Sequence, residues 1–234
     1  MFGIELRSAR GNQYISDKTY PLLYWGYVDV SFVSGSISVL DFTYQRLFNL
    51  PLDAEITIAV RTISVASTPA GTNGAYLYPV KRTDGWYVAI SGDNATFTAR
   101  VYVFVHAKDI AQPRYGIAVF NKQGQVIFHN RRPPMAYKQM FYSDLDNTFV
   151  QASITVGYKP ATVVWSVKVE SYNAGYYRYF NSAHSLQNGG YGVGMTRSYA
   201  RSASYNYQFI NRFYYPVIDA GYFEQFPNLG NYPQ

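Results

Sequence analysis

The side chains that could take part in chemistry are few in this chain and widely spaced. Histidine stands only at positions 106, 129 and 184, and glutamate only at 5, 55, 170 and 224. No two histidines fall at a spacing that would put both on one metal ion, so His106, His129 and His184 read as surface or edge residues. Carboxylate pairs that cleave glycosidic bonds assemble across a fold rather than along a sequence, and nothing in the order of these acids favours one. Asp144-Leu-Asp-Asn147 offers oxygen ligands at alternating positions but lacks the glycine and distal glutamate of a calcium loop, and reads as a polar turn. Gly189 to Gly194 superficially resembles a phosphate cradle, yet it follows no buried strand and opens no helix, and reads as a flexible loop. There is no Gly-x-Ser-x-Gly elbow. With no cysteine in the chain there is no thiolate nucleophile, zinc–thiolate site or disulfide. No catalytic, metal-binding or cofactor-binding residue is assigned, and the chain reads as a non-enzyme.

The elements that would position any site begin with a strand–turn–strand stretch, Tyr115 to Asn130, that the chain also carries at its start. A shift of 113 residues (115 − 2) lays Phe2 to Asp17 on it: Gly3 on Gly116, Ile4 on Ile117, Leu6 on Val119, Gly11 on Gly124, Tyr14 on Ile127 and Ile15 on Phe128. Both copies read as β-hairpins whose polar turn ends in glycine, which accepts a positive φ without steric cost. Asn121 suits the first turn position, because its side chain can bond the backbone two residues on.

Further strands are expected wherever apolar residues alternate with polar ones or β-branched residues crowd together. Val28, Val30 and Phe32 alternate with Asp29 and Ser31, and Phe97, Ala99, Val101, Val103 and Val105 alternate over their own strand. Glu55 to Val65, Ala75 to Val80, Gly85 to Ser91, Phe149 to Gly157 and Ala161 to Ser171 follow the same logic, with Thr68 to Gly74 a loop. No amphipathic helix is evident. The expected fold is all-β: two tandem β-sandwich-like domains from an internal duplication, spanning 1–108 and 115–234 with a linker at 109–114 where alternation stops and Pro113 appears. The second domain carries Tyr-rich loops and an extended C-terminal tail.

Composition narrows the class. Hydrophobic residues make up 48% and charged residues 15% of the 234, which excludes a disordered chain. The net charge of +6 is spread singly or in pairs, without the basic stripe of a nucleic-acid binder. No apolar run approaches the length of about 18 residues that spans a bilayer, and no signal peptide is read at the N-terminus, so neither nucleic acid nor membrane insertion is expected. Tyrosine is the abnormal number: 25 in all, 12 of them from Tyr172 onward. Excess tyrosine serves contact surfaces, where a flat amphipathic ring gives area at little entropic cost. Tyr176, Tyr177, Tyr179, Tyr214 and Tyr215 are the candidate anchors for a neighbouring subunit or a glycan. The alternative is that these rings fill the second core.

The form Tyr-Gly-Ile-x-Val-Phe-Asn-x-x-Gly-x-x-Ile-Phe at 115–128, with its degenerate twin at the start, resembles the opening of small virion proteins encoded among the tail genes of tailed bacteriophages. The likeness covers about 16 residues in each half. Two copies depart from the usual single one, and the first has Arg7-Ser8 where the second has Phe120-Asn121. The resemblance implies a structural component of a tail tip, baseplate or fibre region, folded in the infected cell's cytoplasm and built into the virion beside other tail proteins and copies of itself. The alternative it leaves open is a receptor- or carbohydrate-binding module acting in host attachment.

Overall fold

Strict alternation builds the middle of the molecule. Along Thr96–His106 the residues Phe97, Ala99, Val101, Val103 and Val105 are buried on one face, while Arg100, Tyr102 and Phe104 point to the other. The structure, a computed structural model, describes residues 6–7, 13–15, 21–32, 43–48, 50–66, 75–92, 96–109, 117–121, 123–124, 126–143, 154–163, 166–172, 175–185, 190–200, 213–226 and 228. In chain order the strands are β1 (Leu6–Arg7), β2 (Gln13–Ile15), β3 (Leu22–Phe32), β4 (Thr43–Arg46), β5 (Ile56–Ala66), β6 (Ala75–Arg82), β7 (Gly85–Gly92), β8 (Thr96–His106) and β9 (Ala118–Phe120). They continue as β10 (Val126–His129), β11 (Tyr137–Ser143), β12 (Ile154–Val156), β13 (Pro160–Val163), β14 (Ser166–Tyr172), β15 (Gly175–Ser185), β16 (Tyr191–Ala200) and β17 (Phe213–Asp219), followed directly by the one-turn helix α1 (Ala220–Phe223). The protein is all-β.

The two hairpins of the repeat adopt one register. Leu6 faces Ile15 and Arg7 faces Gln13 in the first, and Val119 faces Phe128 and Phe120 faces Val126 in the second. Each of these pairs maps onto its counterpart under the 113-residue shift, including the extra residue, Tyr14 or Ile127, that interrupts the ladder. In the second copy the turn is closed as its sequence requires. Gly124 has φ 77° and its N–H donates to the Asn121 carbonyl at 3.0 Å, while the Gln123 N–H donates to Asn121 Oδ1 at 3.0 Å.

Ten of the described strands form one sheet in which β5 is the branch point. It pairs antiparallel with β8, which pairs in turn with β3; it also pairs with β13 through Ala59 and Val60, and in parallel with β15 at Thr62. Beyond β13 lie β17 and the edge strand β11; beyond β15 lie β16 and β12, with β14 on the other side of β15. A separate sheet, β4-β7-β6, packs Leu77, Val88 and Ile90 against Leu23, Trp25, Val101 and Val103 to make a sandwich core. The opposite face of β3-β8-β5 forms a second core, where Tyr24, Ala59, Tyr102 and Phe104 meet Ala161, Ile218 and Phe223. Phe141, Val193, Tyr215 and Val217 form a third.

The expected separation at 109–114 is not followed by the backbone. Strands β13 and β17, from the second half, continue the ladder that β5 begins in the first, and Val126 of the second hairpin joins the sandwich core. The reason is that both faces of β5-β8 are apolar where the start of β5 pairs with the end of β8. A strand pair covered on one side only would leave Tyr24, Tyr102 and Phe104 in water, so the second half supplies the cover. Ala107–Asp109, at the start of the expected linker, is a 3-10 turn; residues 110–116 lie outside the described residues.

Candidate functional site

The most heavily engaged polar group in the described structure is one carboxylate. Arg61 and Arg100 are lone cations in otherwise apolar strands, and with Tyr102 they share the face of β5-β8 that α1 covers. Asp219 caps α1 by accepting from the Tyr222 N–H, and the turn delivers Glu224 over this group. Glu224 Oε1 accepts from Arg61 Nη2 at 2.9 Å, Arg100 Nη1 at 3.0 Å and the Tyr102 hydroxyl at 2.7 Å, and Oε2 accepts from Lys159 Nζ at 3.0 Å. Its side chain is only 15% exposed.

Burial, the largest single influence, pushes the Glu224 carboxyl up. The Tyr102 and Lys159 hydrogen bonds and the Arg61 and Lys159 charges together outweigh it, and hold the group at about 2. Such a carboxylate is ionised throughout the physiological range and has no proton to give, so it is not a general acid. Arg100 is shared: it forks onto Asp29 at 2.7 and 2.8 Å and lies 4.0 Å from the centre of the Tyr27 ring. Four residues further on, the Asn228 carboxamide accepts from the Tyr27 N–H at 3.2 Å and donates to the Tyr27 carbonyl at 2.8 Å, as a neighbouring strand would. The arrangement clasps the C-terminal segment to the sheet. Its sequence signal was available in Arg61 and Arg100, since a cation in the middle of an apolar strand requires a buried partner.

The five tyrosine candidates divide. Tyr176, Tyr177 and Tyr179 lie on β15, in backbone register with Ala200, Tyr199 and Arg197 of β16, so the expected Tyr-rich loop is a strand pair at these positions. Tyr214 lies on β17 opposite Tyr142. The side chains of these four lie outside the described residues. Tyr215 is a core ring: it is 4% exposed, stacks on Phe141 with centroids 5.9 Å apart, and burial pushes its hydroxyl up to about 12.

Other expectations resolve similarly. Residues 191–194 of the glycine run form the start of β16, where ten paired positions with β15 hold a strand that glycine alone would weaken. His129 is buried rather than a surface residue, and its Nδ1 accepts from the Arg131 N–H at 3.3 Å. His106 ends β8, and His184 lies on β15 in register with Thr62. The acidic segment 144–147 lies outside the described residues. Among the described residues no helix is long and apolar enough to cross a membrane.

Fold and site together define an all-β protein whose second half completes the core of its first. The chain belongs to a family of unknown function, DUF6453, whose model matches residues 80–206. That match runs without a break across the expected linker, from the end of β6 past β16. No curated protein and no solved structure matches the chain.

Proposed function

We propose that this protein is a non-enzymatic structural component of a bacteriophage tail, in the tip, baseplate or fibre region, that assembles with other tail proteins and with copies of itself in the virion. The observation that carries the reading is the hairpin whose sequence resembles the opening of phage tail proteins: it occurs twice, in one register and with the same interruption. The distribution of exposed apolar residues supports it. Of the seven large hydrophobic side chains exposed among the described residues, Ile117, Phe120, Tyr137 and Met140 belong to the second hairpin and to β11, the strand that ends the large sheet. Apolar side chains on a hairpin and an edge strand suit contact with another subunit.

The test is mass spectrometry of purified particles of a phage that encodes the protein, with cross-linking to find its neighbours. Stoichiometric recovery with cross-links from residues 117–143 to tail proteins is the expected result. A soluble monomer absent from the particles overturns the reading.

A further inference from the structure

The outer face of the small sheet carries a second group of aromatic and charged side chains, on residues other than those of the clasp. Strands β4, β7 and β6 turn Leu77, Val88 and Ile90 inward to the sandwich core, so their alternate residues face out. In register across the three strands these are Tyr44, Ala89 and Tyr78 in one row and Arg46, Tyr87 and Val80 in the next. Ala89, between Tyr44 and Tyr78 in that register, is wholly covered although it lies on the outward side. The Arg82 guanidinium spans two of the tyrosines, 4.7 Å from the centre of the Tyr44 ring and 5.5 Å from that of Tyr87. At the β6–β7 turn, Asp84 accepts from the Tyr87 hydroxyl at 2.6 Å on Oδ2, and its carbonyl accepts from Arg46 Nη2 at 2.9 Å. Tyr44 is 42% exposed, and Arg46, Arg82 and Asp84 are exposed as well.

We propose that this face binds an acidic glycan, a chain of pyranose rings bearing carboxylates. Flat tyrosine rings offer the stacking surface that the C–H face of a sugar requires, and their hydroxyls add polar edges. Arg46 and Arg82 bring planar forks matched to a carboxylate, and the Asp84 carboxylate accepts a sugar hydroxyl. The charge balance selects against the other polyanion that stacks on aromatic rings. Single-stranded nucleic acid binds through many neutralised phosphates, whereas two arginines around one aspartate leave a net charge of only +1 and two forks, enough for one carboxylate at a time. This proposal does not rest on the tail-protein reading, and either can fail alone.

The experiment is titration calorimetry of the full chain with oligogalacturonate, with neutral dextran and a thymidine oligonucleotide as comparison ligands. Oligogalacturonate binds, dextran does not, and the oligonucleotide binds more weakly. Tyr44→Ala and Arg82→Ala each weaken oligogalacturonate binding by about tenfold, the scale of a contact that carries binding energy, and Arg82→Lys, which keeps the charge without the fork, weakens it less. Thermal melting of each variant establishes that it is folded. Absence of oligogalacturonate binding, equal binding of dextran, tighter binding of the oligonucleotide, or folded Tyr44→Ala and Arg82→Ala variants that bind as the parent does would each overturn the proposal.

Discussion

The two faces of the β3-β8-β5 sheet are made by alternate residues of the same strands, yet they are held by different physics. On the sandwich side Ala99, Val101, Val103 and Val105 meet Leu77, Val88 and Ile90 of the small sheet in one apolar cluster with Trp25. On the other side apolar rings occupy one end, where Phe104 and Phe223 meet edge to face at 5.1 Å, and a charge cluster on Glu224 occupies the other. Area burial is spread over many residues, so each can be trimmed at modest cost. A shared carboxylate concentrates the stability in one residue, because its removal strands the cations gathered around it.

The largest expected effect follows from that concentration. Glu224→Ala removes the common acceptor of Arg61, Arg100, Tyr102 and Lys159, and breaking a buried ion pair from one side costs about 3 to 5 kcal/mol. Arg100 keeps Asp29 and Lys159 is 41% exposed, which places the cost near the lower figure. Urea denaturation should show this as a large fall in midpoint. A loss no greater than that of a trimmed valine on the sandwich face would erase the contrast between the faces.

Acid should act on one face only. The Glu224 carboxyl is held at about 2 in the fold against an ordinary value of 4.5. Its contribution is therefore complete above pH 4.5 and is lost as pH falls through about 2, where folded and unfolded chains are both protonated. The difference amounts to about 3 kcal/mol at neutral pH. Stability curves of the parent and of Glu224→Gln, measured from pH 6 to pH 2, should converge toward the acid end; parallel curves would mean that the clasp is not titrating. On the sandwich face, Val103→Ala should cost about 2 kcal/mol through lost methyl groups and the cavity left behind, with no dependence on pH over the same range.

How much of this was legible in the sequence depends on the range of the interaction. The hairpin turn at Asn121 and Gly124 and the alternation of β8 are local, set by side chains within a few residues, and the structure follows them. The joining of the two halves is not local. Ala161 and Ile218 are unremarkable residues of a strand, and nothing near them in the chain says that they cover Tyr102 and Phe104. Repetition of the hairpin suggested two separate bodies, but a repeated starting element does not fix where later strands pair. Likewise Glu224 stands just before a tail that reads as extended, and only the one-turn helix after Asp219 brings it to its cations.

The smallest effect tests the far end of the clasp, where the tail mimics a strand. A Cβ at Gly26 would overlap the Asn228 carboxamide, which bonds both backbone groups of Tyr27. Asn228→Ala gives up two neutral, part-buried hydrogen bonds at the lower end of the usual range, about 0.5 kcal/mol each, and Gly26→Ala should cost at least as much by pushing the same carboxamide away. If displacement of Asn228 is the main damage, the double variant loses clearly less than the sum of the two, since the second change finds the contact already gone. Phe48 also lies close to that Cβ position, at 3.1 Å, and the Gly26 φ of 158° itself disfavours an L side chain, so additive losses would assign the need for glycine to the Phe48 packing and the backbone instead. Urea denaturation of the three variants separates the two, and in the first case fixes Gly26 as the notch that lets the C-terminal segment reach the sheet.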